Sequence, residues 1–189
     1  MKTLTKKEIA NFFGTSEDNL GPHFESLYQN LDMRYRVIEG KEKEDLILDI
    51  LNKIENDKQI IGAPERTNIW FNGWNENLQD FLSSKDSESI VPKFIRPNNV
   101  VRLGGQFIEP YNTFFERDYA KLLQCFVYNK YISKDIKNVY EFGCGSGFNL
   151  INLSSMKSDI NLYGSDFVKS SVDLINEMGD HYGLSMKSE

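Results

Sequence analysis

Glu141, Gly143, Gly145 and Gly147 occupy alternate positions of the run Val139-Tyr140-Glu141-Phe142-Gly143-Cys144-Gly145-Ser146-Gly147-Phe148-Asn149, and a second carboxylate, Asp166, follows 19 residues beyond the last of those glycines. A strand ending in glycines lets the backbone turn sharply and lets a ligand approach the main chain where a Cβ would collide with it. The ligand is then expected at the carboxyl ends of the strands. Spacing narrows the class. A dinucleotide fingerprint, G-x-G-x-x-G, would place glycine at position 148, which is Phe148, and the Gly-Lys-Ser/Thr of a P-loop is absent.

The E-x-G-x-G-x-G arrangement resembles the first motif of class I S-adenosylmethionine-dependent methyltransferases, and Leu162-Tyr163-Gly164-Ser165-Asp166 resembles the end of that family's second strand. The interval to Asp166 is close to the roughly 20 residues at which an acid in the related dinucleotide fold reaches the ribose. The resemblance implies S-adenosylmethionine as cofactor. It implies that Gly143, Cys144 and Gly145 line the methionine part with backbone atoms, Gly147 completes the loop, and Glu141 faces the ammonium. Asp166 would hold the ribose diol and Phe167 would pack along the adenine. The cofactor's carboxylate needs a donor, for which Arg102 and Arg117 are the candidates upstream. Cys144 is not expected to act as a nucleophile, because no His or Asp partner is in reach by sequence. No catalytic residue is assigned.

These residues need a parallel sheet with helical crossovers to position them, and the pattern from Asn138 onward supplies one. Val139 to Phe142 reads as a strand, Ser146 to Met156 as a helix, Ile160 to Gly164 as a second strand, and Val168 to Met178 as a helix ending near Gly179. Leu184 to Lys187 can begin a third strand. Upstream, Thr113 to Ile132 places Phe115, Tyr119, Leu122, Leu123, Phe126 and Val127 near one face of a long helix. Val100 to Ile108 has the form of a hairpin around Gly104-Gly105. Ser83 to Ser89, followed by Pro92 and Pro97, reads as a linker.

The first third reads as helices with short breaks. Thr5 and Glu8 have capping-box spacing, Gly14 is placed to end that helix, and Pro22 suits the first turn of the next. A third amphipathic helix is expected over Lys43 to Asn56. After a break at Gly62-Ala63-Pro64, Thr67 is the expected cap of a fourth, with Trp70, Trp74, Leu78 and Phe81 on one stripe as core packing. The expected fold is therefore α/β: a mostly helical N-terminal region over residues 1–90, a linker, hairpin and long helix over 91–132, and an incomplete Rossmann-like parallel sheet over 133–189.

Composition excludes several classes. The formal charge of −6 and the lack of a basic stripe argue against nucleic-acid binding. An apolar fraction of 40%, excluding glycine, permits a core, and no apolar run suggests a membrane span or secretory signal, so the cytoplasm is the expected location. Two cysteines and two histidines without nearby partners point to no metal site.

The 23 residues after Asp166 are too few for the seven-stranded sheet of the family, so the chain is expected to be truncated and weakly active or inactive by itself. The parent enzyme would methylate a small molecule or saccharide. The alternative is a non-catalytic module that self-associates or binds a partner, possible homo-oligomer formation included, with a residual cofactor loop. An NAD-dependent oxidoreductase is disfavoured by Phe148.

Overall fold

The computed structural model describes residues 1–56, 65–95, 97 and 99–189, without the side chains of residues 65–67. The chain adopts a mixed α/β fold in two compact units, one comprising Met1–Arg66 and Pro97–Tyr119, the other Thr67–Arg96 and Ala120–Glu189. The break at Gly62-Ala63-Pro64 lies outside the described residues.

The first unit begins with β1 (Lys2–Thr3), α1 (Lys6–Phe12), α2 (Pro22–Tyr28), β2 (Arg34–Val37) and α3 (Gly40–Asn56). Helix α4 (Glu65–Ser84) leads into the second unit, and the chain returns with β3 (Val101–Leu103), β4 (Gln106–Pro110) and the start of α5 (Phe115–Tyr131). Local chemistry sets the first helix. The Glu8 amide donates to Thr5 Oγ1 at 3.2 Å and the Thr5 amide to Glu8 Oε2 at 2.8 Å, so the expected capping box forms. Gly14 follows in the left-handed region and Pro22 opens α2.

The hairpin forms with Gly104 and Gly105 at its turn, both at positive φ. The reading of the first third as helices omitted β1 and β2, which join the hairpin in an antiparallel sheet of order β1-β2-β4-β3. Arg34-Tyr35-Arg36-Val37 is too short for its alternation to signal a strand. Its identity comes from pairing Tyr35 with Pro110 and Val37 with Ile108, partners more than 70 residues away. Tyr35 is buried, while Arg36 stays at the surface between Glu42, at 2.6 Å, and Glu109. Leu4, Ile9, Phe24, Ile108 and Phe115 are fully buried in this unit.

The second unit holds the remainder of α5, then β5 (Asn138–Phe142), α6 (Phe148–Met156), β6 (Asn161–Ser165), α7 (Lys169–Tyr182) and β7 (Met186–Ser188). Among the described residues β5, β6 and β7 form a parallel sheet in that order, with Glu141 opposite Gly164 and Phe142 opposite Ser165. Alternation divides the sheet. Leu162, Gly164 and Met186 are buried and face a core shared with Phe148, Leu153, Leu174, Ile175 and Met178, whereas Tyr140 and Phe142 are 64% and 84% exposed.

Four expectations are corrected in this unit. Helix α4 starts at Glu65, two residues before Thr67, so Thr67 is not its cap. It also runs to Ser84, into the expected linker, before a 3₁₀ turn over Ser87–Ile90 capped by Asp86. Helix α7 continues through Gly179 to Tyr182 and ends at Gly183, at φ +62°. Leu123 and Val127 stay exposed on α5, because the buried stripe of that helix runs through Leu122, Cys125 and Phe126. No helix among the described residues is long and apolar enough to cross a membrane.

Candidate functional site

The strand-to-helix loop is fastened to the end of the neighbouring strand. The amides of Gly143 and Cys144 both donate to the carbonyl of Ser165, at 2.7 and 3.2 Å, and the Gly147 amide donates to the Cys144 carbonyl at 2.9 Å. This turn requires left-handed backbone three times: Gly143, Gly145 and Gly147 have φ of +70°, +54° and +73°. Gly147 then takes the cap position of α6.

Close approach reinforces the glycine requirement at two of these positions. A Cβ on Gly147 would lie 2.6 Å from Met178 Cε and 3.0 Å from Ile175 Cγ1, both on α7, and one on Gly145 would lie 2.8 Å from Trp74 Cζ2, on α4. Gly164, in β6, has a related role that its sequence position did not reveal. A Cβ there would meet the Cys144 sulfur at 2.8 Å, so the strand leaves room for the loop to fold back over it.

Asp166 ties the two crossovers together. Its Oδ2 accepts from the Gly145 amide at 2.8 Å and its Oδ1 from the Val168 amide at 2.9 Å. Residues singled out 21 positions apart in sequence thus meet directly. Each carboxylate oxygen has capacity for a second hydrogen bond beyond these amides.

Glu141 is the electrostatically unusual group. Asn149 Nδ2 donates to its Oε1 at 2.5 Å, but its Oε2 is buried without a hydrogen-bond partner among the described residues. Burial pushes its carboxyl above the usual range, the Asn149 contact opposes this, and the nearby Asp166 charge adds to the rise. An unmatched buried carboxylate oxygen is costly, and a cationic ligand group is the natural partner for it.

Asn149 itself was not foreseen as a site residue. It lies eight positions after Glu141, and α6 turns it back onto the strand. Gln124 Nε2 donates to Asn149 Oδ1 at 2.5 Å, and the Tyr128 hydroxyl donates to its carbonyl at 3.1 Å, so α5 holds it in place.

Cys144 is buried, and its sulfur lies 3.9 Å from Ser188 Oγ. Burial pushes its thiol up to about 11, which leaves little thiolate for nucleophilic attack. Phe167 is 74% exposed, with its ring against Phe71 of α4 at a centroid distance of 6.0 Å. The expected core stripe of α4 is buried at Trp74, Leu78 and Phe81, while Trp70 is 39% exposed.

Arg102 and Arg117 both belong to the first unit, where the Arg117 guanidinium pairs with Asp118 at 2.7 Å. A concavity of about 470 Å³ runs along the exposed face of the parallel sheet, bounded by Tyr140, Phe142, Tyr163 and Ser165. It lies beside the loop: Glu141 reaches it, but Gly143, Gly145, Gly147, Asp166 and Phe167 do not line it. Among the described residues no group of three or more His, Cys, Asp or Glu side chains could hold a metal ion. No protein-family model, curated protein or solved structure matches this chain.

Proposed function

We propose that the second unit is a Rossmann-like cofactor-binding unit that takes S-adenosylmethionine at the Glu141–Gly147 loop, and that the protein serves methyl transfer to a small molecule or saccharide. The observation that carries this reading is the meeting of Asp166 with Gly145 at 2.8 Å, beside a buried Glu141 oxygen that has no hydrogen-bond partner among the described residues. Strand-to-helix glycine loops on parallel sheets bind their ligands at the carboxyl ends of the strands, which is where both carboxylates stand.

The residues fit the group. Gly143, exposed and with open space where a Cβ would stand, leaves main-chain atoms open to approach, the orphaned Glu141 oxygen suits an ammonium, Asp166 suits a ribose diol and the exposed Phe167 ring suits a heterocycle. When bound, the cofactor supplies a methyl group activated by its sulfonium. The chain's own contribution is to hold charge and orientation at the loop, which is how enzymes lower the barrier of such displacements. A net charge of −6 weighs against a nucleic-acid acceptor.

Calorimetric titration with S-adenosylhomocysteine and with NAD tests the reading. Saturable binding of the first and none of the second is expected, and binding of NAD alone would reverse the assignment.

A second reading, self-association, is favoured by one observation. Leu48, Leu51 and Ile54 of α3 are 56%, 50% and 63% exposed, an apolar stripe that a second copy would cover. Light scattering that reports a monomer across the micromolar range would dismiss it.

A further inference from the structure

Helix α4 carries two kinds of aromatic residue. Trp74 and Phe81 are 8% and 0% exposed and serve the core, but Phe71 is 43% exposed although it touches another large ring, that of Phe167, itself 74% exposed. The two rings meet at 84°, edge against face, with centroids 6.0 Å apart. An aromatic pair that keeps so much of its surface in water contributes little to burial, so packing alone does not explain it.

Its position does. Phe167 follows Asp166 directly, and the Asp166 carboxylate links the Gly145 amide to the Val168 amide on either side of it. Phe71 and Trp74 are three residues apart and share a face of α4. Trp74 rests on Gly145, within 2.8 Å of where a Cβ would lie, while Phe71 rests on Phe167. One helical face therefore reaches both the glycine loop and the aromatic ring that directly follows the carboxylate.

We propose that Phe71 is a specificity-determining wall of a heterocycle subsite, beside Phe167 and at an angle to it, and that Trp74 positions α4 on the loop so that Phe71 stands there. The inference rests on the cofactor reading above and deepens it: α4, far upstream in the sequence, contributes to recognition of the purine. A planar purine stacked on one aromatic ring and touched by a second gains dispersion and stacking that neither phenyl group obtains from water.

The test compares the full chain with Phe71→Ala and Phe71→Tyr, titrated with S-adenosylhomocysteine by calorimetry and followed by the fluorescence of the two tryptophans, Trp70 and Trp74. Phe71→Ala should weaken binding about tenfold, in line with loss of one base–aromatic contact, with Phe71→Tyr within about twofold of the natural chain. Melting temperatures without ligand should agree closely for all three, since Phe71 is 43% exposed and stands outside the buried core cluster. Equal affinity in Phe71→Ala would overturn the inference and leave the cofactor reading intact, and so would equal losses in Ala and Tyr, which would signal a packing role. Absence of binding by the natural chain itself would remove both.

Discussion

The carboxylate of Asp166 accepts the backbone amide of Gly145 at 2.8 Å, so the end of the second parallel strand clamps the middle of the loop that leaves the first. The other oxygen of the same carboxylate takes the Val168 amide at 2.9 Å, at the cap position of α7. One side chain thereby organises both crossovers of the unit.

Replacing Asp166 should be felt in stability as well as in binding. A hydrogen bond to a charged group is worth about 1.5–3 kcal/mol. Asp166→Ala loses both hydrogen bonds and should lower unfolding free energy in urea by about 3–6 kcal/mol. Asp166→Asn keeps one amide oxygen and should lose about half as much. If both variants unfold at the midpoint of the natural chain, the clamp contributes nothing.

Gly145→Ala meets two obstacles with separable costs. The left-handed backbone, at φ +54°, costs a residue with a Cβ about 1–2 kcal/mol. The Trp74 ring, 2.8 Å from the new atom, adds a steric cost. Trp74→Phe removes the ring atoms that collide, so the double variant should recover part of the loss and leave the backbone part. A double-mutant cycle in urea measures the coupling, and strict additivity would show that the two residues do not interact.

Much of this site is legible in the sequence because its signals are local. The alternate glycines, Glu141 and the interval to Asp166 are fixed by the chain's own spacing, and the structure brings them together. Asn149, Gly164 and Trp74 are not legible in that way. Asn149 matters because α5 steers it, Gly164 because Cys144 folds over it, and Trp74 because α4 crosses the loop. The same holds for β2, whose four residues become a strand only by pairing with β4. Phe71 stands at helical spacing from Trp74, Leu78 and Phe81, and only the fold shows that it stays 43% exposed against the ring of Phe167.

Glu141 should make stability and binding depend on pH in opposite senses. Burial raises its folded-state value above the ordinary carboxylate value of about 4.3, with the Asp166 charge adding to the rise. Among the described residues the groups facing it are Asn149 from α6, Asp166 beyond β6 and Tyr128 from α5, and none of these is a cation. A raised folded value means that the native state holds the proton more tightly than the unfolded chain. Its stabilising contribution is complete below about pH 4.3 and is lost as pH rises through the folded value. Glu141→Gln, which cannot ionise and still accepts from Asn149, should therefore gain stability relative to the natural chain as pH rises from 4 to 8. Binding of S-adenosylhomocysteine should strengthen over the same interval in the natural chain and release a proton, seen as a dependence of the calorimetric enthalpy on buffer ionisation. A pH-independent difference in urea midpoints would reject the linkage.

Gly179 and Gly73 offer a contrast within helices. A glycine to alanine change inside a helix ordinarily stabilises by about 1 kcal/mol, through reduced backbone freedom of the unfolded chain. Gly73 of α4 has open space around its missing Cβ, and Gly73→Ala should follow that rule. At Gly179 the new atom would lie 2.5 Å from the Met186 carbonyl oxygen, which belongs to the backbone of β7. A main-chain carbonyl held in a strand cannot swing aside as a side-chain tip can, so α7 and β7 must separate. Gly179→Ala should therefore destabilise by about 1–3 kcal/mol, the cost of overpacking, despite the gain in helix propensity. The fraying should show as faster amide exchange at Leu162, whose amide donates to Ser185 at 2.7 Å beside that strand. A Gly179→Ala protein as stable as Gly73→Ala, with Leu162 exchange unchanged, would mean that the contact between α7 and β7 is not what keeps residue 179 a glycine.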